Sequence, residues 1–171
     1  MRKIVLILLI FLSACSSKLD LTASEEMFVG MMIPHHEQAI EMADFALKFS
    51  ENPKIKELAR NIKASQQTEI DLMNSFGENL AELHAGHKMQ GMLSERDMRI
   101  LKFSRGELFD GMFLFGMIQH HEGAIEMAKT VLSSKTPEIS KLANEIIRTQ
   151  SEEIELMKIL QEEINSDQMN F

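Results

Sequence analysis

Apolar residues recur at the three- and four-residue spacing of amphipathic helices through most of the chain, and no stretch alternates as a strand would. This spacing predicts four long helices, over about 25–50, 54–76, 107–134 and 137–164. A short helix should begin at the capping box formed by Ser94 and Asp97 and end near Gly106. Pro34 lies inside the first helix, where we expect a kink because proline removes a backbone hydrogen bond.

The helical pattern occurs twice. The segment Met-Ile-x-His-His-Glu-x-Ala-Ile-Glu-Met-Ala is found at 32–43 and again at 117–128, a shift of 85 residues. Each copy begins a helical hairpin, and the two hairpins span about 25–76 and 107–164, with residues 77–106 connecting them. The repeat therefore predicts an all-α antiparallel four-helix bundle in which the hairpins are related by a pseudo-twofold axis.

The first residues have the pattern of a targeting segment. Arg2 and Lys3 precede an apolar run, 4–12, that is too short to span a membrane as a mature helix. The sequence Leu-Ser-Ala-Cys that ends at Cys15 resembles a bacterial lipobox, in which the cysteine is lipidated; the alternative is an ordinary secretory peptide with a chance cysteine. We expect a signal peptide at 1–14, a lipidated tether at 15–23 and one helical domain at 24–171.

Composition narrows the possible functions. The formal net charge of −8 argues against nucleic acid as a partner, because nucleic acids select basic surfaces. Cys15 is the only cysteine, so once it is lipidated the domain has no disulfide and no thiolate ligand. Methionine is abundant, with 14 residues among 171. From the lipobox pattern ending at Cys15, we expect a membrane-anchored protein of the cell envelope that faces the periplasm or the cell exterior.

The histidine pairs lie at unusual positions on their helices. At 100° per residue, His36 falls at the centre of the apolar arc of the first helix, and His35 lies on its flank, toward a neighbouring helix or the rim. Antiparallel pairing in each hairpin then predicts a polar layer and a thioether layer. The polar layer contains His36, Gln66, His121 and Gln150, and the thioether layer contains Met32, Met73, Met117 and Met157.

Two interpretations of these histidines remain open. They are core residues whose rings bond a facing Gln or Glu, or they are metal ligands together with the methionines. In the second case His35 and His120 belong to the same site, and the residues that orient the histidines are Gln66, Glu69, Gln150 and Glu153. Imidazole and thioether without thiolate suit Cu(I) or Ag(I). The connector offers a second, looser set of such groups: His84, His87, Met89 and Met92.

The doubled His-His-Glu segments, the helix with Gln66, Glu69 and Met73, and the connector sequence Gly-His-Lys-Met-Gln-Gly-Met-Leu-Ser are similar to those of the domain of unknown function 305 (DUF305) family. The resemblance covers nearly the whole mature chain. It implies a ferritin-like four-helix bundle that is often exported, and its CopM-like members are associated with periplasmic copper or silver binding and tolerance. The chain departs from the pattern in a connector with few methionines.

Three functions follow as hypotheses. The first is a non-enzymatic copper or silver protein of the envelope, whose partners are the membrane, through Cys15, and other metal-trafficking proteins. The second is a structural or interaction lipoprotein with a self-satisfied polar core. The third is a ferritin-like di-metal oxidase, which needs Glu-x-x-His motifs that this chain lacks. A homo-oligomer formed by exchange of hairpins remains open.

Overall fold

The structure, a computed structural model, describes residues 19–83 and 89–169. The predicted signal peptide, Cys15, and the connector histidines His84 and His87 lie outside the described residues. Within these two ranges the chain forms helices and no strand. The helices are α1 (Ala23–Phe49), α2 (Pro53–Phe76), α3 (Leu80–Leu83), α4 (Glu95–Phe103), α5 (Gly106–Lys129) and α6 (Pro137–Met169).

The four long helices and the short α4 confirm the helical prediction, with two differences at their ends. α5 ends at Lys129 and α6 continues to Met169, beyond the predicted limit of 164. α3 is a single turn in the connector that the apolar pattern did not predict. α1 runs through Pro34 without interruption. No helix in the described part of the chain is long and apolar enough to cross a membrane.

The start of α1 is tied to the turn between α5 and α6. Thr22 caps the helix: its side chain accepts from the Glu25 amide, and the Glu25 carboxylate accepts from the Thr22 amide at 2.7 Å. The Ser134 hydroxyl also donates to Glu25. These hydrogen bonds, that of Ser134 first, lower the pKa of Glu25 to about 2. The two hairpins are thereby joined at this end of the bundle.

The long helices surround two separate cores. α1 contacts α2 and α5, and α6 contacts α5 and α2, so the order around the bundle is α1, α2, α6, α5. One core holds Met32 and Met73 and combines the first half of α1 with the second half of α5. The other holds Met117 and Met157 and combines the second half of α1 with the first half of α5. α1 and α5 are therefore antiparallel.

This direction corrects the predicted thioether layer. Met32 lies one turn before His36 on α1, and Met117 lies one turn before His121 on α5. Because α1 and α5 run in opposite directions, these two turns lie toward opposite ends of the bundle. Met32 and Met73 consequently lie in one core, and Met117 and Met157 lie in the other. The four methionines do not share a layer.

Candidate metal centre

The histidine pairs occupy the middle of the bundle, where α1 and α5 meet. His35, His36, His120 and His121 are all 0% exposed. The rings of His35 and His120 contact each other across the α1–α5 interface, with centroids 3.8 Å apart and planes tilted by 40°. His35 therefore faces the neighbouring helix and is fully enclosed. We call these four side chains the histidine layer.

Carboxylates from α2 and α6 hold the inner rings of this layer. His36 Nε2 lies 2.6 Å from Glu69 Oε2, and His121 Nε2 lies 2.8 Å from Glu153 Oε2. Since a carboxylate oxygen only accepts, Nε2 is the donor in both pairs. In a neutral ring the Nδ1 atom then carries a free lone pair. A carboxylate on one ring nitrogen is the usual way in which a protein orients a histidine whose other nitrogen binds a metal.

The two glutamines do not have the predicted orienting role. Gln66 and Gln150 are buried, but in the described structure neither amide has a hydrogen-bond partner on its oxygen or its nitrogen. Glu69 and Glu153 contact the histidines instead. The physical reason is that hydrogen bonds to an ionised carboxylate are shorter and stronger than those to a neutral amide.

Unpartnered polar atoms are concentrated at this level of the bundle. Ten buried side-chain nitrogen or oxygen atoms among the described residues lack a hydrogen-bond partner, and the only one outside the layer and its two glutamines is on Asp110. Buried polar atoms are nearly always paired in folded proteins. The other nine therefore form a built polar site, and they are His35 Nδ1, His36 Nδ1, His121 Nδ1, both ring nitrogens of His120 and both amide atoms of Gln66 and Gln150.

The outer histidines are held in the neutral state. Burial, followed by the neighbouring His36, lowers the pKa of His35 to about 3. Burial, followed by His35, lowers the pKa of His120 well below its ordinary value. Neutral imidazole is the form that ligates metals. Both rings are therefore ready to accept a cation at ordinary pH, without first losing a proton.

Part of the connector crosses the histidine layer from the α1–α5 side. We call residues 90–93 the strap. Its Gln90 carbonyl accepts from His35 Nε2 at 3.0 Å. The side-chain amide of Gln38 holds the strap at Leu93, donating to its carbonyl (3.1 Å) and accepting from its amide (2.8 Å). A Cβ on Gly123 would lie 2.1 Å from the Gln90 carbonyl oxygen, so only glycine permits this approach.

Sequence reasoning missed both residues that seat the strap. Gln38 and Gly123 occupy the same position in the two repeats, at the shift of 85 residues, and they differ where the flanking residues are identical. This difference between the two repeats is the sequence signal that could have identified Gln38 and Gly123. It marks the place where the connector, which occurs once, contacts two helices that otherwise repeat each other.

Soft donors flank the layer on both sides. Met32, Met73, Met117 and Met157 are fully buried in the two cores. Met92 belongs to the strap, Met89 directly precedes it, and both are partly buried. Within the described residues no three His, Cys, Asp or Glu side chains are grouped to hold an ion by themselves. The donors at hand are thus imidazole nitrogen, amide oxygen and thioether, which fit Cu(I) or Ag(I) better than a hard cation.

Comparisons with known proteins agree with this fold. The family model described as domain of unknown function (DUF305) matches residues 25–161. A DUF305 fragment from Deinococcus radiodurans is similar in structure, with a TM-score of 0.72 and 30% identity, over 83% of this chain and 97% of that one.

Structures of CopM are also similar. CopM in the Cu(I)-bound form has a TM-score of 0.67 and 36% identity, over 81% of this chain and 96% of that one. CopM in the Ag-bound form, obtained by co-crystallization, has the same TM-score with 34% identity and the same coverage. Among curated proteins, uncharacterized protein L153 of Acanthamoeba polyphaga mimivirus is 42% identical over 52 residues, which is 30% of this chain and 34% of that protein. The match thus spans about a third of that relative's length.

Proposed function

This chain belongs to the DUF305 family, and from that premise we propose that it binds Cu(I) or Ag(I) in the cell envelope without catalysing a reaction. Its role is copper sequestration, trafficking or tolerance. Similarity to CopM, of which copper- and silver-bound forms are known, supports the choice of metal. The observation that carries the proposal is the set of nine unpartnered polar atoms around four buried histidines.

The charge of the ion follows from the surroundings. Imidazole, amide and thioether ligands are neutral, and the Glu69 and Glu153 carboxylates bond to ring nitrogens, not to the ion. Burying charge in a low-dielectric core costs free energy that rises steeply with the charge. A monovalent soft ion is the one that we propose, because it carries the smaller charge and suits imidazole and thioether ligands.

We assign separate roles to the residues around the ion. The histidine layer supplies the nitrogen ligands: the rings of His35 and His120 are in contact, and Glu69 and Glu153 hold the two inner rings in place. Because no three of these side chains are grouped in the described structure, a single ion takes at most two histidines as they stand. Thioethers complete the coordination from either core: Met32, Met73, Met117 and Met157. The connector residues His84, His87, Met89 and Met92 form an accessory site that captures ions at the surface.

A competition titration tests this function. The purified protein is titrated with Ag(I), or with Cu(I) under reductant, against a chelator of known affinity. The variant His36→Ala/His121→Ala should lose the tight site. The variant with His87, Met89 and Met92 changed to Ala should lose only capacity or uptake rate. Met27→Leu, which changes a methionine that is 41% exposed, is the matched control and should bind as the parent does.

Two outcomes of this titration contradict the proposal. The first is that the parent cannot compete with the chelator. The second is that both histidine and connector variants bind as the parent does. In either case the layer is a structural feature of the core.

Export and anchoring form the second part of the proposal, and the sequence ending at Cys15 supports them. Cys15→Ser should release the protein from the membrane fraction or leave the signal peptide uncleaved. Fractionation of cells that express each form measures this. A Cys15→Ser protein that is processed and partitions as the parent does would show that the lipobox interpretation is wrong.

One observation favours the second candidate function, an interaction lipoprotein. Large apolar side chains are exposed on α4 and α5: Phe103 is 75% exposed, Leu108 67% and Phe115 59%. Exposed apolar patches commonly mark protein or membrane contacts. The same titration separates the two candidates, because an interaction protein with a self-contained core needs no metal. A di-metal oxidase has less support, since it needs carboxylate and histidine ligands grouped together.

A further inference from the structure

The strap closes one side of the histidine layer. It lies against α1 at Gln38 and against α5 at Gly123, so it covers the interface where the outer histidines meet. The contact is close on both sides: a Cβ on Gly91 would lie 2.4 Å from the Gln119 carbonyl oxygen. Gly91 also has φ of +82°, a left-handed conformation that favours glycine. The backbone of the strap therefore packs directly against the backbone of α5 at Gly91.

The opposite side of the bundle is open. α2 and α6 form the face across from α1 and α5, and a groove of about 410 Å³ lies between them. Ser65, Thr68 and Leu72 line it from α2, and Leu142 and Thr149 line it from α6. Glu69 also lines this groove. Its carboxylate is the group that accepts from His36 Nε2.

Two carboxylates give the groove negative charge, those of Glu69 and Glu138, whereas the third, of Glu145, is paired with Arg148. Lys141 also lines the groove, and the remaining lining is largely apolar. Glu69 is 8% exposed and His36 is 0% exposed, so the carboxylate stands between solvent and the ring that it orients. An ion that reaches Glu69 has arrived at the edge of the histidine layer.

We propose that the groove between α2 and α6 is the route by which a soft monovalent cation enters the histidine layer, with Glu69 as the first group that it meets inside. This inference rests on the proposed function, since it concerns the same ion. The strap side does not admit the ion, because its backbone is packed directly on α5. The pseudo-twofold axis passes through both faces and maps each onto itself, so the two faces differ in their helices as well as in the strap that covers one of them.

Two neighbouring residues of α2 provide a matched test. Both are exposed, but Thr68 lines the groove and Gln67 is not among the residues that line it. Thr68→Trp should obstruct the route, and Gln67→Trp should add the same bulk elsewhere. The full chain is mixed rapidly with Ag⁺ alone, the reaction is stopped at set times with a chelating resin, and the bound silver is measured. Release is followed by dilution into excess chelator, and thermal unfolding confirms that each variant is folded.

Thr68→Trp should slow uptake and release of Ag⁺ equally, each by about tenfold or more, because the ion must wait for a local opening. Its Kd should equal that of Gln67→Trp. If Thr68→Trp takes up Ag⁺ as fast as Gln67→Trp, or if it weakens Kd without slowing uptake, the route is wrong. Those results leave the metal site standing. Failure of the proposed function is separate: the parent would then bind no Ag⁺ at equilibrium, or would bind it no better than His36→Ala/His121→Ala does.

Discussion

At the scale of single residues, each inner histidine has one hydrogen-bonded ring nitrogen and one that has no partner among the described residues. His36 donates through Nε2 to Glu69, and its Nδ1 is the unpartnered atom. A histidine that served only to fill the core would be more stable with both nitrogens bonded, or replaced by an apolar residue. The half-paired state leaves Nδ1 as the atom through which the proposed ion would bind.

Removing His36 tests how much this pairing contributes to stability. In the metal-free protein, His36→Ala should lower the free energy of unfolding by about 1–3 kcal/mol, because it leaves the Glu69 carboxylate without its donor. Denaturant unfolding measures the change. Glu37→Ala, which alters the next residue on the exposed face, should change stability by no more than about 0.5 kcal/mol. Equal stability of His36→Ala and the parent would mean that the hydrogen bond between His36 and Glu69 contributes nothing.

The outer histidines predict how stability depends on pH. The pKa of His35 is lowered from 6.5 to about 3 in the folded state, and that of His120 is also lowered, so below pH 6.5 the unfolded chain binds more protons than the folded one. Stability of the metal-free protein is then complete above pH 6.5 and falls as pH decreases toward 3. Each histidine should contribute a slope of up to about 1.4 kcal/mol per pH unit.

Urea unfolding at pH 7.5, 6 and 5 checks this slope. The chosen range lies above the ordinary pKa of Glu25, 4.5, so that carboxylate does not add to the effect. Replacing both outer rings, as His35→Gln/His120→Gln, should flatten the curve. A parent protein whose stability is constant from pH 7.5 to 5 would show that the two rings take up protons equally in the folded and unfolded chains, which contradicts their burial.

At the scale of elements, the connector is part of the site. Gln38 clamps the strap with two hydrogen bonds, and Gly123 provides the space for its backbone. The fixed strap places the Gln90 carbonyl on His35 Nε2, so that Nδ1 is the nitrogen left to bind a ligand.

Two glycines of α5 give a direct test of this contact. A Cβ on Gly111 meets nothing within 4 Å, whereas one on Gly123 meets the strap at 2.1 Å. Gly111→Ala should therefore stabilise the protein by about 0.5–1 kcal/mol, as expected for alanine in place of glycine within a helix. Gly123→Ala should displace the strap and expose it to protease. Limited proteolysis and thermal unfolding measure both effects, and similar behaviour of the two variants would contradict the packing described here.

At the scale of the whole molecule, the sequence predicted the elements better than their directions. Helical periodicity and the capping residues located the four long helices, and the repeat identified the hairpins. The pattern could not show that α1 and α5 are antiparallel, because the apolar face of a helix has the same spacing in either direction. The spacing alone therefore predicts one layer for Met32 and Met117, whereas the structure has them in two cores.

The sequence also predicts the candidate site only in part: it places residues on a helix face but not the contacts between helices. The spacing correctly placed His36 in the core, but it could not choose between Gln66 and Glu69 as its partner, since both lie near the apolar stripe of α2. That choice depends on side-chain reach and charge. The contact between His35 and His120 depends on how the two hairpins dock, which a pattern within one helix does not contain.

The central claim is that the histidine layer between the two cores binds a soft monovalent ion. The most direct measurement is a crystal structure of the protein grown with Ag⁺, with data collected to locate silver by anomalous scattering. We expect the strongest anomalous peak inside the bundle, bonded to nitrogen atoms of the histidine layer. Silver found only at surface methionines and the connector, with an empty layer whose polar atoms bond to water, would contradict the account.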